Sequence, residues 1–200
     1  MSFVPPILHQ MWLDPVEMDN TSAPKKYENY KRYSESWRAC NPECSYVFWN
    51  MRRVEELWAL PQLARWKPFF SRLAVHIEKC DMTRYAIMYV YGGVYVDLDF
   101  QCVKSLAPLR ARCVVGLVWE PKEQTFAPID KGRQRLSNAF LMSQGGQHPL
   151  WSTLMDYIVA NYRTKSSVPA LAVLLNTGTA RLALFARDYQ LDQPQYWPGL

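Results

Sequence analysis

The sequence predicts an α/β fold with a mixed, mainly parallel sheet flanked by helices. Three observations carry that expectation. Short apolar runs rich in β-branched and aromatic residues alternate with segments of helical period, and the chain opens on one of those runs. A long helical stretch then ends at Gly92 and Gly93 and feeds directly into a strand. A chain of 200 residues, 49% of them hydrophobic, holds enough apolar side chain for a real core and reads as one domain over residues 1–200.

Val4 to Trp12, with Ile7, Leu8 and Met11, reads as a short buried strand behind a proline-stiffened start. Tyr27, Tyr30, Tyr33, Ser34 and Trp37 recur at helical spacing, and Asn41 with Pro42 stops that helix. Ser45 to Trp49 is the second buried strand, which makes a βαβ opening. From Val54 to Phe70 the prolines at 61 and 68 divide the chain into short helical pieces. Arg72 to Tyr91 reads as a long helix, and Val94 to Phe100 as a strand carrying Asp97 and Asp99 at its end. Val114 to Trp119 and Asn138 to Ser143 are further strand candidates, and Pro149 to Asn161 is a helix. The sequence shows no repeat, low-complexity tract or linker.

Composition narrows the function. The net charge of +5 comes from scattered Lys and Arg, which argues against a nucleic-acid stripe and suits a small anionic ligand. Five cysteines without paired C-x-x-C spacing read as reduced thiols of a cytosolic setting; Cys40 and Cys44 form at most half a zinc site. Neither a signal peptide nor an apolar run of membrane-spanning length is legible, so the chain reads as cytoplasmic or soluble, a secretory-lumen origin requiring removal of an N-terminal anchor.

The chemistry concentrates at Asp97 and Asp99. Strand residues two apart project to one face, so both carboxylates would point at one place while Leu98 packs behind them. Like charges so arranged repel unless a cation lies between, and a hard ion such as Mn2+ or Mg2+ takes oxygen ligands while leaving positions for phosphate oxygens. Upstream, Asp81 and Arg84 are three apart on the long helix, which places an acid and a base on one face, either as an ordinary ion pair or as a lining for sugar hydroxyls.

The block Lys79 to Asp99 combines Asp81, Arg84, Tyr85, Gly92, Gly93, Tyr95 and the D-x-D pair at fixed spacing. It resembles the signature of the glycosyltransferases with a DXD sugar-binding motif, family thirty-two, which includes mannosyltransferases and capsular polysaccharide transferases and is related to the catalytic domains of clostridial glucosylating toxins. Ile7 to Trp12, Ser36 with Trp37, Asn41 with Pro42, Asn138 to Ser143, His148 with Pro149 and Thr177 with Gly178 match other family positions, so the likeness spans nearly the whole chain.

The resemblance implies a GT-A type fold and a retaining, metal-dependent transfer of a hexose from a UDP- or GDP-sugar to a hydroxyl on a glycan, protein or lipid. No nucleic-acid partner is expected, and the activity implied belongs to glycan biosynthesis. Residue by residue, it implies Asp99 as the direct metal ligand and Asp97 as a contact to ribose, sugar and metal. Asp81 and Arg84 would contact the donor sugar, Trp12 would stack on the base, Tyr95 would line the nucleotide pocket, and Asn138 would face donor or acceptor. His9 and His148 are expected to be structural. No nucleophilic carboxylate is legible, which favours front-face attack by the acceptor hydroxyl over double displacement.

Two departures stand out. Gln195 to Leu200 ends where a closing segment with His and Trp would begin, which implies a minimal member or a shortened form with fewer metal ligands; and Thr179 stands where the family has Pro after Thr177 and Gly178. A haloacid-dehalogenase phosphatase is disfavoured by the mid-chain position of the pair and by Gln101 after it. The alternative that remains is a non-catalytic sugar-nucleotide or glycan-binding module on a transferase fold.

Overall fold

A computed structural model of the chain describes residues 4–13, 26–111, 115–119, 136–163 and 169–189. The expectations attached to Lys122 to Arg135, Cys113 and Gln195 to Leu200 lie outside the described residues.

In chain order the elements are β1 (Ile7–Met11), α1 (Lys26–Cys40), β2 (Ser45–Trp49), α2 (Met51–Trp58), a 3-10 turn (Pro61–Leu63), α3 (Lys67–Arg72), α4 (His76–Tyr91), β3 (Gly93–Val96), α5 (Ala107–Arg110), β4 (Val115–Trp119), β5 (Leu136–Ser143), α6 (Pro149–Asn161), α7 (Pro169–Asn176) and α8 (Thr179–Asp188). Five strands form one sheet in the order β2, β1, β3, β5, β4. The pairs β1–β2 and β1–β3 are parallel, and β3–β5 and β4–β5 are antiparallel. The mixed α/β architecture is the expected one. None of the described helices is long and apolar enough to cross a membrane.

Alternation along the strands splits the core between the two faces of the sheet. Leu8, Val94, Val96 and Met142 face α1 and pack with Trp37, Cys102 and Leu106. Tyr95 and Leu141 point the other way, into a larger core built with Met82, Tyr85, Ile87 and Met88 of α4, Trp151 and Leu154 of α6 and Phe185 of α8. Strand β1 is therefore buried on both faces, His9 and Gln10 included.

The junction of α4 with β3 depends on Gly92 and Gly93, whose φ angles are +64° and +83°. A Cβ at Gly92 would lie 2.5 Å from the Gln144 carbonyl oxygen, and one at Gly93 would lie 2.6 Å from that of Ile7. Only glycine satisfies both the left-handed backbone and that close approach. His9, buried in the middle of β1, locks the same corner: Nδ1 accepts from Trp49 Nε1 at 3.1 Å, which leaves Nε2 to donate to the Gly92 carbonyl at 3.0 Å. His148 accepts from the Leu150 amide through Nδ1 and caps α6. Both histidines have the structural place expected of them.

Two expectations are corrected. The long helix does not begin at Arg72: that residue ends α3, Leu73 is extended with ψ 119°, and α4 starts at His76. The strand does not extend to Phe100; β3 ends at Val96, and Leu98 and Asp99 form a turn in which the Phe100 amide bonds the Asp97 carbonyl at 3.3 Å. Sequence alternation cannot see this, because Leu98 and Phe100 continue the apolar pattern while the backbone has already left the ladder.

Candidate active site

The chain runs from β1 to β2 on one side and returns to β3 on the other, so a crevice opens beyond the ends of β1 and β3. Open α/β sheets bind ligands at such switch points. A cleft of about 360 Å³ lies there, lined by Met11, Trp12 and Leu13 after β1, Tyr30 of α1, His76, Ile77, Cys80 and Arg84 of α4, and Tyr95, Asp97, Leu98 and Asp99.

Its floor is a polar network in which Arg84 Nε is buried without a hydrogen-bond partner. Tyr95 and Asp97 share a face, and the Tyr95 hydroxyl donates to Asp97 Oδ1 at 2.7 Å. Arg84 Nη1 reaches Asp97 Oδ2 at 3.0 Å and the Asn138 carbonyl at 2.8 Å, and its guanidinium lies 5.1 Å from the centre of the Tyr95 ring. One helical turn back, Asp81 Oδ1 is 3.5 Å from Arg84 Nη2. Asp81 also accepts from Asn138 Nδ2 at 2.9 Å and from the Thr177 hydroxyl at 2.8 Å. Tyr85 completes the set, donating to the Thr177 carbonyl at 2.9 Å and accepting from Asn138 at 3.0 Å.

The electrostatics follow from burial. Arg84 is pulled down by desolvation but more strongly raised by Asp97, Tyr95 and Asp81, so it stays a cation well above its ordinary value. Burial pushes the Tyr95 hydroxyl well up, against the pull of Arg84, which keeps it a donor to Asp97. Asp81 is raised by burial, opposed by Arg84, Thr177 and Asn138. Cys80 is pushed up to about 11, chiefly by burial, which leaves an unreactive thiol in the cleft wall.

Asp99 differs from all of these. It is exposed at the cleft, no described side chain bonds its carboxylate, and burial of its surroundings followed by the charge of Asp97 raises its pKa. That mutual repulsion is what a hard divalent cation would relieve, so the pair fits one. Among the described residues no group of three or more His, Cys, Asp or Glu converges on a metal position, and a cation held by the pair would keep coordination positions for phosphate oxygens or water.

The residues singled out in the sequence thus come together: Asp97, Asp99, Arg84, Tyr95 and Trp12 line one cleft, with Asp81 and Asn138 directly behind Arg84. Asp81 is 3% exposed, so Arg84 is the member of that pair that faces the cleft. Trp12 is half-buried, its ring 5.8 Å from that of Tyr30. Sequence reasoning gave no role to Thr177 or Tyr85, although both stand in motifs it quoted. Their partners lie up to 96 residues away and leave no local signal.

The family model described as "glycosyltransferase sugar-binding region containing DXD motif" matches residues 27–115, which hold α1, α4, β3 and the acidic pair. Over residues 27–115 the chain is similar to the DXD-motif glycosyltransferases. The chain is also similar to inositol phosphoceramide mannosyltransferase 2 of Schizosaccharomyces pombe, at 24% identity over 191 residues, which cover 96% of this chain and 48% of that protein. To the initiation-specific alpha-1,6-mannosyltransferase of Candida albicans it is 25% identical over 171 residues, covering 77% of this chain and 42% of the other. It therefore spans about half the length, or less, of these relatives. Among solved structures it resembles the PaToxG glycosyltransferase, with a TM-score of 0.66 at 13% identity over 98% of this chain and 72% of the other. The ligand-free glycosyltransferase domain from the YGT toxin matches with a TM-score of 0.63 at 10% identity, over 96% and 79% of the two chains. At those identities the likeness establishes the shared glycosyltransferase-domain fold, the GT-A-like α/β arrangement.

Proposed function

We propose that the protein transfers a hexose from a nucleoside-diphosphate sugar to an acceptor hydroxyl, with retention of configuration and dependence on a divalent metal. The observation that carries this reading is the pairing, in one cleft, of an ion pair between buried Arg84 and half-buried Asp97 with a second carboxylate, Asp99, that no described side chain holds. The names of the relatives make a mannosyl donor the first to test, and an inositol phosphoceramide or a glycan the first acceptor.

In this reading Trp12, beside Tyr30, takes the nucleotide base by stacking. Asp97 is held by Arg84 and Tyr95 in one orientation and presents its remaining acceptor capacity to ribose or sugar. Arg84 offers positive charge at the cleft floor, where Asp81 and Asn138 fix it, and a donor hexose meets Arg84 before it meets Asp81. Asp99, supported by Asp97, would hold Mn2+ or Mg2+, which when bound supplies charge neutralisation for the departing diphosphate. Among the described residues the only carboxylates lining the cleft are those of the D-x-D pair. Front-face attack then accounts for retention: the acceptor oxygen bonds the anomeric carbon as the bond to the diphosphate breaks, and the hydroxyl proton passes to a diphosphate oxygen.

The test is a panel of labelled nucleotide sugars, mannosyl donors included, incubated with Mn2+ and with chelator. Metal-dependent hydrolysis or transfer that Asp99→Asn abolishes is the expected outcome. Metal-independent binding without turnover would instead make the protein a binding module.

A further inference from the structure

We infer that Trp37, Ser36 and Asn41 of the α1 region are positioning residues for Asp99, acting through the strap of chain that follows it; the functional side of this inference rests on the metal reading above.

Residues 97–106 contain a turn but neither strand nor helix. Their backbone polar groups must therefore be satisfied from elsewhere. The C-terminal part of α1 does this with side chains. Trp37 Nε1 donates to the Phe100 carbonyl at 2.7 Å, and the Cys102 amide donates to the Ser36 hydroxyl at 2.9 Å. Cys40 Sγ lies 3.8 Å from the Cys102 carbonyl, and the Leu106 amide donates to Asn41 Oδ1 at 2.7 Å. Each clamp is itself held: the Ser36 hydroxyl donates to the Tyr33 carbonyl at 2.6 Å, and Asn41 Nδ2 to the Trp37 carbonyl at 3.1 Å. Ser36 with Cys40, and Trp37 with Asn41, stand four apart and so present one face to the strap.

The strap is not held by most of its own side chains, since Phe100 is 40% and Val103 80% exposed. Within 97–106 the hydrophobic side chains that are buried are Leu98, Cys102 and Leu106, of which Cys102 and Leu106 pack beside Trp37. Asp99 is thus bracketed by backbone anchors. On one side the Asp97 amide bonds the Ala139 carbonyl at 2.8 Å; on the other, Trp37 holds Phe100. Its carboxylate has no described side-chain partner, so its place in the cleft is inherited from that bracket. Groups that orient a ligand of a metal govern affinity without touching it.

The experiment uses the full chain as Trp37→Phe, Ser36→Ala and Ser36→Thr, with two readouts: amide hydrogen exchange, and calorimetric titration with Mn2+ and nucleoside diphosphates. Trp37→Phe and Ser36→Ala are expected to speed exchange within 97–106 while β3 stays protected, and to weaken Mn2+-dependent diphosphate binding by about ten-fold. Ser36→Thr, which keeps the hydroxyl, is expected to restore both. Unchanged exchange in 97–106 overturns the clamp, and faster exchange with unchanged Mn2+-dependent affinity overturns its role for Asp99. A wild-type chain that binds no Mn2+ and diphosphate overturns the metal reading and the role for Asp99 together, and the exchange result then still decides the clamp.

Discussion

Asp97 and Asp99 are two residues apart and have opposite surroundings. Behind Asp97 stands a network in which Arg84, Tyr95, Asp81, Asn138, Thr177 and Tyr85 bond one another across α4, strands β3 and β5 and the turn between α7 and α8. Ahead of it, Asp99 sits on an irregular strap whose fixed points are backbone bonds to α1. A buried, densely paired network is costly to disturb because each lost partner strands another polar group. An exposed carboxylate on a held backbone contributes little to stability. The floor is built for rigidity, and the charge left over for a ligand stands on the strap.

That contrast sets an order of expected effects on stability. Arg84→Met removes the shared cation and leaves Asp81 and Asp97 uncompensated, at a cost of about 3–5 kcal/mol. For a domain of this size Tm is expected to fall by about 10 °C, measurable by calorimetry. A variant as stable as the wild type would show that the network is not the rigid half.

Acid tests the corner that carries the floor. The pKa of His9 is lowered from 6.5 to about 4, first by burial, opposed by its bond to Gly92. The unfolded chain therefore takes up this proton before the folded one, and the stability contributed by neutral His9 is full above pH 6.5 and lost as pH falls towards 4. It amounts to about 3 kcal/mol. Urea unfolding between pH 7 and 4 should show that loss, and His9→Gln should flatten it.

Thr177→Val keeps the shape and deletes the hydroxyl that Asp81 accepts from, for an expected loss of about 1–2 kcal/mol by denaturant unfolding. A change near zero would move Thr177 out of the network.

The two halves were unequally legible in the sequence. Strand β2 and helix α6 fall at the bounds their apolar patterns gave, and the Gly92–Gly93 stop is where the backbone turns positive. Asp81 with Arg84, and the D-x-D pair itself, could be read because local spacing sets them on shared faces. The turn at Leu98 and Asp99 could not, since alternating apolar residues continue through it. Helices α7 and α8 escaped for another reason: Pro169 to Asn176 is an apolar run too short to show a helical period. Thr177, Tyr85, Ser36 and Trp37 were visible as motif residues without roles, because a hydroxyl or indole finds its partner through the tertiary fold.

Titrating wild-type and Asp99→Asn proteins with the diphosphate-sugar donor that the wild type binds, with Mn2+ and with chelator, tests the division between floor and strap most directly. Asp99→Asn is expected to keep its stability within about 0.5 kcal/mol of wild type and to lose the metal-dependent part of donor affinity. Metal-dependent affinity that survives in Asp99→Asn, or a Tm that falls as far as in Arg84→Met, would contradict it.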